Sequence, residues 1–145
     1  MNGAFFDNGV IRIFVPEGWG CFPGIDSDGK ETPRKLHIYK GAEIATDIFT
    51  KAGITVSFFG RDIVYFSPKF FYDDVCDINP VTMGERVFSG FKCKSLGYPY
   101  TMLEWSDKGC ALQIMILEEN GDSRISLGDC DVEALISSIK ISEPE

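Results

Sequence analysis

A single histidine, His37, has to serve any chemistry that needs an imidazole in this 145-residue chain. A Ser-His-Asp or Cys-His site would have to use it, yet it lies in an alternating run with no catalytic motif beside it. The chain also lacks a Gly-x-Ser-x-Gly elbow, a Gly-x-Gly-x-x-Gly turn and a Walker phosphate loop. Its five cysteines, Cys21, Cys76, Cys93, Cys110 and Cys130, form no Cys-x-x-Cys pair, and their odd number and wide spacing do not suggest a disulfide framework. A reducing compartment is the simplest account of them. These absences leave no catalytic residue and no cofactor to assign.

Positive charge is scarce as well. The 14 Lys and Arg against 22 Asp and Glu leave a net charge of −8. The basic residues occur singly or in pairs such as Arg34-Lys35. Displacing counterions from a nucleic acid needs clustered cations, so nucleic-acid binding is excluded as an expectation, and docking on an anionic membrane is disfavoured. No apolar run approaches the roughly 18 residues of a membrane span, so no membrane insertion is expected. The opening Met1–Phe6 has neither a charged nor a long apolar region of a secretory leader. The expectation is a cytoplasmic protein, the alternative an exported domain whose leader has been removed. The oligomeric state is not legible.

What is present is a sheet former. Hydrophobic residues make up 44%, with 12 Phe and 15 Gly, and the length suits a single domain over residues 1–145. The stretch Glu85–Ile141 organises the chain. It reads as strands near Arg86–Lys94, Pro99–Trp105, Cys110–Glu118 and Arg124–Leu127, then a helix near Cys130–Ser138. Short turns, among them Glu119-Asn120-Gly121-Asp122, join the strands, and Asn-Gly is a strong hairpin signal. Leu112, Ile114 and Ile116 fall on one face of the third strand, with Ala111, Met115 and Leu117 on the other. A strand apolar on both sides needs cover on both sides. Upstream, Val10–Val15, Lys35–Lys40, Ile54–Phe59 and a short Ile63–Phe66 read as strands. Ser67-Pro68 opens a short helix Pro68–Val75, Gly41–Lys51 allows another, and Cys21–Arg34 reads as a surface loop. Trp19 is expected to plug the core and to find a partner for its indole N–H. The fold expected is α+β: an antiparallel sheet of six to seven strands with a C-terminal β-meander and helices packed on both faces, a three-layer α/β/α sandwich.

The step Val15-Pro16-Glu17-Gly18-Trp19 after the first long strand, and a last helix running into Ser137-Ser138-Ile139-Lys140-Ile141, resemble the PsbP-like α/β/α sandwich domains. The resemblance implies an antiparallel sheet flanked by helices, and a binding or assembly role without catalysis. It carries over no functional residue and no particular partner.

Few side chains suggest chemistry. Asp73-Asp74-Val75-Cys76-Asp77 presents carboxylates at a D-D-x-x-D spacing, making Asp73, Asp74 and Asp77 the metal candidates, against the plainer reading of a solvated helix end. Asp26-Ser27-Asp28-Gly29-Lys30-Glu31 looks faintly like part of a calcium loop without its closing Glu. Tyr98, Tyr100, Trp105 and His37 are the candidates for contact with a ligand or partner, where cross-strand core pairing is the competing reading. The function expected is a non-catalytic binding or protein-interaction module, with another protein as partner. The alternative is a small enzyme or ligand carrier with a pocket built on Asp73, Asp74 and Glu104, or on His37. The loops between Gly20 and Arg34 and between Arg61 and Pro80 are where function is expected.

Overall fold

A computed structural model describes residues 1–142. The frame is a seven-stranded antiparallel sheet in the order β3-β4-β5-β9-β8-β7-β6. Its strands are β3 (Trp19–Ile25), β4 (Glu31–Lys40), β5 (Gly53–Phe59), β6 (Asp73–Met83), β7 (Arg86–Ser95), β8 (Tyr98–Asp107) and β9 (Cys110–Leu117). A smaller sheet, ordered β1-β2-β12, consists of β1 (Gly3–Asp7), β2 (Ile11–Pro16) and β12 (Lys140–Ile141). β10 (Glu119–Asn120) and β11 (Ser123–Arg124) make a minimal hairpin around Gly121, and α1 spans Cys130–Ser137.

The small sheet and α1 together cover one face of the large sheet, here called the inner face. Leu36 and Ile38 of β4, Ile54 and Val56 of β5, Leu112, Ile114 and Ile116 of β9, Leu103 of β8 and Phe88 of β7 are fully buried there. They pack against Ile11 and Ile13 of β2 and Val132, Leu135 and Ile136 of α1. Each such side chain contributes about 1.5–3 kcal/mol relative to exposure. The β6–β7 turn is tied to this layer through Gly84. Its φ of 62° suits glycine, and a Cβ there would stand 2.6 Å from the Ser137 carbonyl oxygen.

Trp19 is buried as expected, and its indole N–H donates to Asp131 Oδ2 at 3.3 Å. Lys40 Nζ reaches the same oxygen at 3.1 Å, so one carboxylate joins β3, β4 and the first turn of α1. Burial alone would raise the Asp131 pKa, but the Lys40 contact, the Val132 N–H and the Trp19 indole outweigh it and hold the group below its ordinary value.

The three-layer α/β/α expectation is overturned. The described residues are mostly β, 56% strand against 12% helical, and α1 is the single α-helix among them. No helix packs on the outer face there. The expected helix Pro68–Val75 is a 3-10 turn, Pro68–Phe71, capped where Ser67 Oγ accepts from the Lys69 N–H at 3.4 Å. From Asp73 the chain is already extended as β6. The Gly41–Lys51 stretch likewise gives only a 3-10 turn, Ala45–Phe49. The Cys21–Arg34 loop is instead the β3–β4 hairpin, and Ile63–Phe66 forms no strand. Two of these corrections share one cause. Pro23 adjoins a register shift at Gly24 on edge strand β3, and Pro80 sits in the shift between Ile78 and Val81 on edge strand β6. A proline that ends a helix or a central strand is accommodated at an edge bulge, where no ladder bond is lost.

Two outcomes follow from this packing. Leu135→Ala should cost about 2–5 kcal/mol of unfolding free energy in urea melts, the range for an unfilled core cavity. The Asp131 pKa is depressed in the folded chain, so its contribution is present above the unfolded value of 3.8 and lost as pH falls below it. Asp131→Asn should therefore flatten the acid side of the stability profile, read from melts between about pH 6 and pH 3.

Candidate functional site

The outer face of the large sheet has a thinner and less apolar cover. Strand pairing places Lys35, Ser57, Gln113, Glu104 and Ser89 in one row across it. The adjacent row runs His37, Thr55, Met115, Met102, Phe91 and Asp77. Residues 60–72, here called the strap, leave β5 at Phe59 and enter β6 at Asp73. Because β5 and β6 are separated in the sheet by β9, β8 and β7, the strap must cross those three strands.

Its attachments follow that crossing. The Tyr65 ring packs on Phe59 with centroids 4.8 Å apart. Tyr65 Oη donates to the Glu104 carboxylate and accepts from Gln113 Nε2 at 3.1 Å. Ser67 Oγ donates to the other Glu104 oxygen at 3.0 Å. Lys69 pairs with Asp77, and Tyr72 stacks obliquely on Phe91 at 6.5 Å. Burial, reinforced by the neighbouring Glu104, pushes the Tyr65 phenol well above its usual range. Glu104 is thus an acceptor at the centre of a polar clamp.

The strap's apolar side chains point the other way. Val64 is 75% exposed, Phe66 80%, Phe70 94% and Phe71 87%. The Ala45–Phe49 turn repeats the arrangement at the β4–β5 end of the same face: Ile48 packs on Tyr39, Ala42 and Leu117, while Ile44 and Phe49 stand in solvent. An exposed apolar cluster of this kind marks a contact surface.

The residues singled out in the sequence do not form one site. His37 Nδ1 lies 2.8 Å from Thr55 Oγ1, and burial followed by the Lys35 charge holds its pKa down. Tyr98 is exposed at the start of β8, and Tyr100 packs between the two small outer-face clusters. Trp105 faces the inner side, opposite Leu112, with the Arg86 guanidinium 4.9 Å from its ring centroid. Asp73, Asp74 and Asp77 belong to a strand, not a helix end. Asp74 faces Lys94 at 3.9 Å and Asp77 faces Lys69. Among the described residues no group of three or more His, Cys, Asp or Glu side chains is placed to hold a metal. The Asp26–Glu31 stretch is the β3–β4 turn, where Asp26 Oδ1 accepts from the Asp28 and Lys30 N–H groups at 2.9 and 3.1 Å. Among the described residues no helix is long and apolar enough to cross a membrane. The outward phenylalanines of the strap were not among the residues singled out, although they lie in one of the two stretches where function was expected. Their signal was the density of Phe from Phe66 to Phe71 without helical or strand spacing.

No protein-family model and no curated protein matches the chain. A crystal structure from Bacteroides thetaiotaomicron VPI-5482 at 1.50 Å is similar, with a TM-score of 0.55 at 15% identity. The similarity covers 99% of this chain and 50% of that one, so this chain spans half the length of its neighbour. At that identity the likeness concerns the fold alone.

Tyr65→Phe removes one of the two hydroxyls that hold Glu104. It should loosen the strap by about 1 kcal/mol, seen as faster amide exchange in residues 60–72 with β9 unchanged. The raised phenol pKa stabilises the folded chain below its unfolded value of 10.0, and that contribution is lost as pH rises beyond it. The alkaline loss should be missing in the variant.

Proposed function

We propose that this chain is a non-catalytic binding module that contacts a protein partner through its outer face. The observation that carries this reading is the inverted strap, with its polar groups turned onto the sheet and Val64, Phe66, Phe70 and Phe71 turned into solvent. A phenylalanine buried in a complex contributes roughly 1.5–3 kcal/mol, so the cluster is sufficient for a specific contact. The surrounding charge supports a protein rather than a lipid surface. Asp62 lies in the strap and Asp73 and Asp74 follow it directly, and the chain carries −8 overall, which anionic lipid would repel.

The resemblance to PsbP-like domains, read at Val15–Trp19 and Ser137–Ile141, points toward an assembly role of the same kind. The five free cysteines support a reducing compartment. The enzyme or carrier alternative rested on a pocket built on Asp73, Asp74 and Glu104, or on His37. The partner of His37 is the Thr55 hydroxyl, and Glu104 is occupied by Tyr65 and Ser67.

The test is a combined Phe66→Ser, Phe70→Ser, Phe71→Ser variant. These side chains make no core contact, so the melting temperature should stay within a few degrees of the parent. Retention of a partner from the native cell extract should fall roughly tenfold or more, as for buried aromatic anchors. Equal retention by parent and variant would remove the strap from the interface.

A further inference from the structure

The small sheet and α1 do not reach the whole inner face. β12 pairs with β2 through Lys140 and Ile141 only, and beyond Ile141 the end of the large sheet opens into a cleft of about 720 Å³. That volume is within the range of small-molecule sites. Phe58, Trp105 and Ile141 supply apolar lining. The cations Arg34, Arg61, Arg86 and Lys108 line it too, against the acids Asp62 and Asp107. Among the described residues, four positive and two negative groups line the cleft of a protein that carries −8 overall.

Three of those cations form no ion pair among the described residues. Arg34 pairs with Asp62 at 3.0 Å, but among the described residues no ion pair engages Arg61, Arg86 or Lys108. Arg86 is the most constrained. Its guanidinium lies over the Trp105 ring and donates to the Ile139 carbonyl at 2.6 Å. Burial lowers its pKa despite the opposing pull of the Glu85 charge, the mark of a cation short of solvation. Arg61 Nε donates to the Lys108 carbonyl at 3.0 Å, so the β8–β9 turn is held with both residues at the rim. A desolvated guanidinium seeks a carboxylate or phosphate, which its planar fork binds through paired hydrogen bonds.

We infer that the cleft between β4, β8 and β12 binds a small organic anion, its carboxylate or phosphate held by Arg86, Arg61 and Lys108 and its apolar body against Trp105 and Phe58. This ligand site shares Gly60, Arg61 and Asp62 with the start of the strap, but it opens on the inner face, away from the exposed Phe66, Phe70 and Phe71. It places Trp105 at a ligand contact through cations that sequence spacing leaves unconnected.

The experiment follows the indole N–H signals of the ¹⁵N-labelled chain during titration with benzoate, phenyl phosphate and inorganic phosphate. Trp105→Phe assigns the two indoles. Benzoate or phenyl phosphate should shift the Trp105 signal saturably and leave Trp19 fixed; the tighter of the two identifies the anionic group preferred. Lys108→Gln and Arg61→Lys change exposed rim side chains, the second keeping the charge but not the guanidinium fork; Lys108→Gln should weaken binding about tenfold, as loss of a charge-assisted contact does, and Arg61→Lys should weaken it less. Arg86→Gln also removes a contact to Ile139, so it is not the deciding variant. As a second readout, bound probe should slow alkylation of Cys110, which lines the cleft, while leaving exposed Cys76 and Cys130 unaffected. Absence of a saturable Trp105 shift up to about 10 mM of either aromatic anion would overturn the proposal. So would equal binding of inorganic phosphate, or unchanged affinity in Lys108→Gln.

Discussion

Everything in this molecule answers to the demand that a central strand apolar on both faces be covered twice. β9 buries Leu112, Ile114 and Ile116 inward and Ala111 and Leu117 outward. An eight-residue helix and a three-stranded sheet are the bulk available for cover, and both go to the inner face. That side holds the larger cluster, joining β2, the large sheet and α1. The outer face receives only the strap and a 3-10 turn.

The thin cover has a structural consequence. An extended segment lying on a sheet directs successive side chains to opposite sides. Tyr65 and Ser67 turn down to Glu104, and so Val64 and Phe66 turn up. A helix would bury a stripe of its apolar residues and present polar ones; the strap does the reverse because its contact with the sheet is through a polar row. The inner cover is incomplete in another way. Among the described residues, the short β12 leaves Arg86 and Trp105 at an open edge, where burial desolvates the guanidinium against the opposing charge of Glu85 and no ion pair is made with it. Both proposed surfaces therefore lie where cover is thin or stops.

Three strands of the C-terminal meander were legible because their turns carry Gly and their cores alternate, whereas the fourth, expected at Arg124–Leu127, is only the two-residue β11. β7, β8 and β9 lie within one or two residues of where pattern and turn chemistry place them. The burial of Trp19 was legible for similar local reasons. The edge strands were not. Pro23, Gly24, Asn79 and Pro80 are the same residues that end helices and central strands, and only the position of β3 and β6 at the edges makes them tolerable. The short helix expected after Pro68 failed because β7 offers a ladder to residues 73–83, and pairing outweighed a local start signal.

By itself the sequence determined that the chain is sheet-rich, needs two layers of cover around Ala111–Leu117, and holds no cluster of charge or motif along its length. These are properties of spacing two to four residues apart, where backbone geometry alone decides which side chains are neighbours. Only the tertiary structure decided which cover each face received. It also brought Arg34, Arg61, Arg86 and Lys108, up to 74 positions apart, to one cleft. Strand order does this: β4, β5, β7, β8 and β9 meet at one end of the sheet in an order the chain does not follow. Whether a lone arginine is solvated surface or part of a site depends on that order.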